Sequence, residues 1–146
     1  MRIEVKTFQE LTTEELYDLL QLRSEVFVVE QDCVYQDIDG KDRKAIHVLG
    51  FYNGQLAAYT RCFKPGIYFD EAAIGRIVVD KRFRDKGLGH QIVKASIEVI
   101  HDRYKTALIK LSAQTYLVDF YNSHGFEITG EEYLEDGIPH IAMIKK

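Results

Sequence analysis

Residues 72–100, AAIGRIVVDKRFRDKGLGHQIVKASIEVI, restrict the possible folds more than any other stretch of the chain. A β-branched run, AAIGRIVVD, meets a polar turn with glycines at 87 and 89, and the turn opens a periodic apolar helix. In that helix Leu88, Ile92, Ala95 and Val99 form one row and Val93, Ile97, Ile100 and Tyr104 a second, leaving a polar arc of about a third of the circumference. The pattern predicts a central helix packed against the sheet whose strand feeds it. The first turn of such a helix has unpaired N–H groups and a dipole that favours negative charge, and glycine lets the backbone approach a phosphate closely. Pyrophosphate is the natural guest.

The rest of the chain supplies the other layers. RIEVKTF reads as an opening strand. Thr12 and Glu15 then form a capping box for a helix in which Leu16, Leu19, Leu20, Arg23 and Phe27 recur at helical spacing to about Val28. Residues 30–44, EQDCVYQDIDGKDRK, are polar and turn-rich, as expected of an exposed functional loop or a solvated connection. HVLGFY and QLAAYTRCF flank Asn53-Gly54 and predict a hairpin with a type I′ turn. TALIKLSA is strand-like and TYLVDFYNSH is a short helix stopped by Gly125. FEITGEEY and GIPHIAMIK close the chain as two strands.

A length of 146 residues fits one domain, 1–146, with a sizeable core and neither repeats nor a linker. The net charge of −4 argues against a nucleic-acid partner, and the apolar runs are strand-sized, so no membrane span is expected. MRIEVKTFQE lacks the apolar segment of a secretory signal, which makes a cytoplasmic location the expectation. Cys33 and Cys62 form neither a redox nor a zinc motif and read as buried or idle thiols.

Which phosphate ligand the loop suits is narrowed by elimination. A Walker loop needs Lys followed by Ser or Thr after its last glycine, whereas His90 and Gln91 follow Gly89. A dinucleotide fingerprint needs three glycines, and only two fit. A plain glycine turn between strand and helix stays open on these residues alone. Arg84-x-x-Gly87-x-Gly89 after IGRIVVD, however, resembles the acetyl-coenzyme A signature of the Gcn5-related N-acetyltransferases (GNAT). LRSEVFVVEQDCVYQDIDGKD, FYNSHGF and EDGIPHIAM are similar to the ElaA-like subgroup of that superfamily, in the same order and across most of the chain. The chain departs from that pattern at Val34-Tyr35, where a proline would precede the tyrosine.

The resemblance implies an α+β GNAT (acyl-CoA N-acyltransferase) fold, a mixed, mostly antiparallel sheet flanked by helices. It implies acetyl-coenzyme A as co-substrate, with the pyrophosphate on the backbone of Arg84, Asp85, Lys86, Gly87, Leu88, Gly89 and His90. The pantetheine arm would run along Ile77, Val78 and Val79, with Gly75 and Arg76 marking a distortion that splays this strand from the next; Ser112, Ala113 and Gln114 would form the other lip. An ordinary buried strand would show the same side chains. Tyr121 stands where the superfamily often places a tyrosine near the coenzyme sulfur, where a phenol can give a proton to the leaving thiolate.

The group that takes the amine proton is less defined. Glu30, Asp37, Asp39, His47, Asp136 and His140 are all candidates, of which Glu30, Asp136 and His140 lie inside the blocks of resemblance. Asp32, Asp42, Glu131 and Glu132 read as solvated loop charge. No metal is expected: a calcium frame through Gly40 would put Tyr35 and Ile46 at ligand positions, and the five histidines lack zinc spacing. The implied partner is a small-molecule or peptide amine, with a homodimer allowed. Three rivals are a coenzyme A-binding sensor without turnover, a nucleotide-binding regulatory module, and an acyltransferase with a longer donor, resembling the autoinducer synthases.

Overall fold

A computed structural model describes residues 1–146. The strands are β1 (Arg2–Thr7), β2 (Ile46–Tyr52), β3 (Gln55–Phe63), β4 (Ala72–Val79), β5 (Ile109–Gln114), β6 (Glu127–Ile128), β7 (Tyr133–Glu135) and β8 (Ile138–Lys145). The α-helices are α1 (Thr13–Arg23), α2 (Leu88–Tyr104) and α3 (Val118–Asn122). All eight strands join one sheet in the order β1-β2-β3-β4-β5-β8-β6, with β7 also on β8. Only β4 and β5 run parallel, so the sheet is mixed and mostly antiparallel.

Period-two alternation sends the two faces of β2 and β3 to different partners. Ile46, Val48, Ala58 and Cys62 pack with Ile92, Val93 and Ile100 of α2 in the main core. Leu49 and Tyr59 face the other way and meet Leu19 and Leu22 of α1. The one polar position on the inner stripe of α2 is Ser96, whose hydroxyl lies 2.5 Å from that of Thr60 and donates to the Ile92 carbonyl, so neither of these two hydroxyls goes unpaired. The Thr12–Glu15 capping box opens α1 as its sequence requires.

Three local features differ from the expectations. The first helix is α-helical only to Arg23 and continues as a π-helical turn over Ser24–Glu30. FEITGEEY is not one strand: Gly130, at φ 85°, breaks it into β6 and β7. Asp136 (φ 51°) and Gly137 (φ 79°) form a two-residue hairpin turn from β7 into β8, a turn of the same kind as Asn53-Gly54.

The largest departure concerns residues 31–44, where Asp42 is only 6% exposed instead of solvated. His47, Tyr59 and Arg61 share the sheet face that α1 leaves partly uncovered, since His47 pairs with Arg61 and Leu49 with Tyr59 across β2 and β3. The loop lies over that face and neutralises it. Arg23 donates to Asp37 (2.9 Å) and Asp42 (2.7 Å), and Arg61 to Asp42 (2.9 Å) and Asp39 (2.6 Å). Arg76 Nε sits 2.7 Å from Asp37 Oδ1 but off the direction a hydrogen bond needs, so that attraction is ionic, while its Nη2 bonds the Asp37 carbonyl at 3.0 Å. Burial alone would raise the Asp42 carboxyl, but the guanidiniums of Arg23 and Arg61 outweigh it and hold the group below the usual carboxylate range. Asp32, Glu131 and Glu132 are exposed.

His47 is fully buried beside this network. Its Nε2 lies 2.9 Å from the Asp42 carbonyl, which can only accept, so Nε2 carries the proton and Nδ1 accepts from the Tyr59 hydroxyl at 2.6 Å. Burial pushes the imidazole below its ordinary value. The unfolded chain therefore protonates His47 first. This contribution to stability is present above a pH of about 6.5 and is lost as the pH falls, by up to about 1.4 kcal/mol per pH unit. Chemical denaturation at pH 7.5 and 5.5 is expected to show lower stability at pH 5.5; equal stability at the two would contradict a neutral buried His47.

Candidate active site

The sheet opens at its centre. β4 and β5 pair only at Ala72–Ile109 and Ala73–Lys110, whereas β5 stays on β8 as far as Gln114–His140. Beyond Ala73 the facing edges of β4 and β5 part. The cause lies one strand away: between the Arg61–Gly75 and Tyr59–Val78 pairs, Thr60 alone on β3 faces Arg76 and Ile77 on β4, and Arg76 takes a φ of 49°. This bulge bends β4 away from β5. Ile77, Val78 and Val79 thus lie on the diverging half of the strand.

That half leads into the loop before α2. The first helical bond runs from the Gln91 N–H to the Gly87 carbonyl at 3.2 Å, which leaves the N–H groups of Leu88, Gly89 and His90 unused at the helix start. The two glycines serve different needs. Gly87 caps the helix at φ 74°, a conformation that suits glycine. Gly89 has ordinary backbone geometry, and a Cβ there would meet the Phe120 ring at 3.4 Å and Val79 at 3.7 Å, ordinary contact distances that leave room for little more than a methyl group.

A cavity of about 120 Å³ opens between the parted strands and the 31–44 loop. Tyr121, from α3, reaches it: the residue is 5% exposed, its ring packs edge-on against Phe120 and Phe126, and its hydroxyl has no partner within the protein. Burial pushes this phenol well above the usual value, so it stays protonated. The opposite wall comes from the β7–β8 hairpin. The Asp136-Gly137 turn fixes Tyr133 opposite His140 and Glu135 opposite Ile138, and β5 sets Gln114 opposite His140. Strand alternation then puts Ser112, Gln114, Glu135 and His140 on one face. His140 Nε2 lies 3.3 Å from a Glu135 oxygen, and its Nδ1 is 2.7 Å from the Ile138 carbonyl. Ser112 bonds the Tyr133 hydroxyl and lies 3.4 Å from Glu135.

An acetyltransferase (GNAT) domain model matches residues 7–146. The chain belongs to the GNAT family. Protein ElaA of Escherichia coli is 42% identical over 139 residues, covering 94% of this chain and 91% of that protein. The crystal structure of an acyl-CoA N-acyltransferase from Pseudomonas aeruginosa superposes with a TM-score of 0.93 at 40% identity, and that of E. coli ElaA with 0.91 at 39%, each covering all of both chains.

Within this GNAT domain the residues singled out from the sequence fall into two groups. Arg84, Asp85, Lys86, Gly87, Leu88, Gly89 and His90 form the turn and helix start. Asp85 takes a φ of 64°, Lys86 lies over the Tyr52 ring, and the His90 ring packs at a tilt against Phe120 with its Nδ1 3.0 Å from His124 Nε2. Tyr121, Gln114, Asp136, His140 and Ile77 line the cavity. Glu30 joins the first group, because Arg84 grips its carboxylate through two bonds of 2.5 and 2.8 Å. The hydrogen bonds from Arg84 hold that carboxyl below its ordinary value, which makes Glu30 a weak proton acceptor. Arg84 also donates to the Val79 carbonyl at 3.2 Å, so its role is to tie the π-helical turn and β4 to the loop.

Asp136 is an exposed turn residue whose backbone carbonyl accepts from the buried Cys33 thiol at 3.2 Å, and this contact fastens the hairpin to the loop. Gln114 exchanges amide bonds of 3.1 and 3.2 Å with Gln31 across the cavity mouth. Glu135 and the pairing of Arg23, Arg61 and Arg76 with the loop carboxylates are what the sequence reading passed over as site components. For Glu135 the signal was present: reading Asp136-Gly137 as a hairpin turn puts Glu135 and His140 on one face. Arg61, set between Thr60 and Cys62 in an apolar strand, was the signal for the network. Nowhere do three or more His, Cys, Asp or Glu side chains converge as a metal site.

Proposed function

We propose that this chain transfers the acetyl group of acetyl-coenzyme A directly to a primary amine of a small molecule or peptide in a ternary complex. The observation that carries the reading is the parting of β4 and β5 after Ala73 beside the unused N–H groups at the start of α2. The open β4 edge suits an extended amide-bearing arm, which can bond to it as an added strand, and the helix start suits the pyrophosphate. Lys86 and the backbone supply the positive field there, since Arg84 is engaged with Glu30.

The chemistry then requires two proton-handling groups on opposite sides of the reacting carbon. The amine nitrogen bonds to the acetyl carbonyl carbon, the carbon–sulfur bond breaks, and sulfur leaves with the electron pair. Tyr121 is the donor to that sulfur. Its raised pKa makes full proton transfer to a thiolate uphill, so it acts as a hydrogen-bond donor that strengthens as charge develops. His140 is placed to take the amine proton, with Glu135 beside it to stabilise the imidazolium.

The test is release of free thiol from acetyl-coenzyme A over a panel of polyamines, amino acids, aminoglycosides and peptides. Binding without thiol release across the panel would leave a coenzyme A-binding module. Gly89→Asp adds a negative charge at the helix start proposed to hold the pyrophosphate and is expected to weaken acetyl-coenzyme A binding about 10²-fold in calorimetry. Thermal melting of the variant separates a failure to bind from a failure to fold, since the new side chain starts toward Phe120 and Val79. Gly89→Ala, which adds only the methyl contact with Phe120, separates bulk from charge. Unchanged binding in a folded Gly89→Asp protein would make the loop a plain turn.

A further inference from the structure

The charges around the cavity do not cancel locally. Arg61 and Arg76 both line it, yet each is already held by the loop carboxylates Asp37, Asp39 and Asp42. Glu135 has no lysine or arginine partner and touches only Ser112 and His140, and the Asp136 side chain makes no ion pair. The cavity walls also carry aromatic residues, Phe27, Phe63 and Tyr68 among them, alongside the neutral polar Gln31, Ser112 and Gln114. Glu135 also acts across the cavity on Tyr68, whose phenol is raised first by burial and then by that carboxylate. At about 120 Å³ the space is well below the roughly 300–1,000 Å³ of pockets that enclose a whole drug-sized ligand, so it admits an arm of a molecule.

We propose that the acceptor is a primary amine on an unbranched aliphatic arm with no carboxylate beside the amine, and that Glu135 is the residue that selects it. This rests on the acetyl-acceptor reading of the same cavity. The incoming ammonium pairs with the Glu135 carboxylate while its methylenes lie against the aromatic walls; one of its protons then passes to His140, 3.3 Å from Glu135, and the second, released as nitrogen bonds the acetyl carbon, goes to the departing thiolate. An α-carboxylate on the acceptor would be brought against Glu135 and Asp136, while the guanidiniums that line the cavity, Arg61 and Arg76, already have their charge matched by the loop carboxylates and keep only an Nε–H each without a hydrogen-bond partner. Alkylamines, diamines and lysine side chains fit this description; free α-amino acids do not.

Pentylamine and norleucine form a matched pair, because norleucine is pentylamine with a carboxylate on the amine-bearing carbon. Calorimetric titration of the whole chain with each, alone and with acetyl-coenzyme A present, is expected to show pentylamine binding at least about tenfold more tightly. Glu135→Gln keeps the size and a polar contact to His140 but removes the charge. It is expected to weaken pentylamine and bring the two ligands within about threefold of each other, a change of preference that a merely structural role would not produce. Glu135→Asp is expected to restore part of the discrimination. Equal or tighter norleucine binding, no binding of pentylamine, or a preference unchanged in Glu135→Gln would each overturn the proposal. Failure of acetyl-coenzyme A to bind would instead sink the donor reading, and the pentylamine-to-norleucine ratio would still decide this one.

Discussion

Replacing Tyr121 by phenylalanine is expected to lower turnover about 10²- to 10³-fold while leaving the melting temperature nearly unchanged, the scale on which single hydrogen-bond donors to developing charge contribute to catalysis. The two halves of that expectation have separate causes. The ring packs against Phe120 and Phe126 and is retained in the variant, so the core keeps its volume. The hydroxyl has no partner in the protein and opens on the cavity, so removing it strands no buried group. Steady-state turnover with the acceptor found in the amine panel, together with thermal melting and acetyl-coenzyme A titration, separates the outcomes. Near-normal turnover would remove Tyr121 from the mechanism. A large fall in melting temperature would make its hydroxyl a structural group.

Asp42→Ala is expected to destabilise the protein by about 3–5 kcal/mol, the usual consequence of removing one partner from a buried ion pair. Asp42 accepts from both Arg23 and Arg61, which are 0% exposed, so its loss leaves three guanidiniums facing the two carboxylates of Asp37 and Asp39. For a chain of this length that corresponds to a drop in melting temperature of roughly 6–20 °C. Urea denaturation of wild type and variant measures it. A loss below about 1 kcal/mol would mean that the network behaves as exposed charge, whose pairs contribute no more than that.

Local patterns made much of the fold legible. The Thr12–Glu15 box, the Asn53-Gly54 turn, the strand that ends at Val79 and the two apolar rows of α2 are each specified by neighbours within a few residues, and each appears where the pattern puts it. The C-terminal region was harder to read, because Gly130 and Asp136-Gly137 are punctuation whose meaning depends on which strands pair. Once Tyr133 is opposite His140, the face that carries Glu135 follows from alternation alone.

By itself the sequence determined the strand–turn–helix unit at residues 72–104 and, through its motifs, the GNAT family, because a helix start and a glycine turn are made from adjacent residues. Only the tertiary structure decided what the charged loop does. Residues 30–44 read as an exposed functional loop or a solvated connection because they are polar and turn-rich, and nothing nearby in sequence shows that Arg23, Arg61 and Arg76 lie under them. The cost of burying a charge depends on its partners in space, and here the partners come from α1, β3 and β4. The same holds for Glu30, whose pairing with Arg84 spans 54 positions, and for the Glu135–His140 pair, which exists only because a two-residue turn folds β7 onto β8.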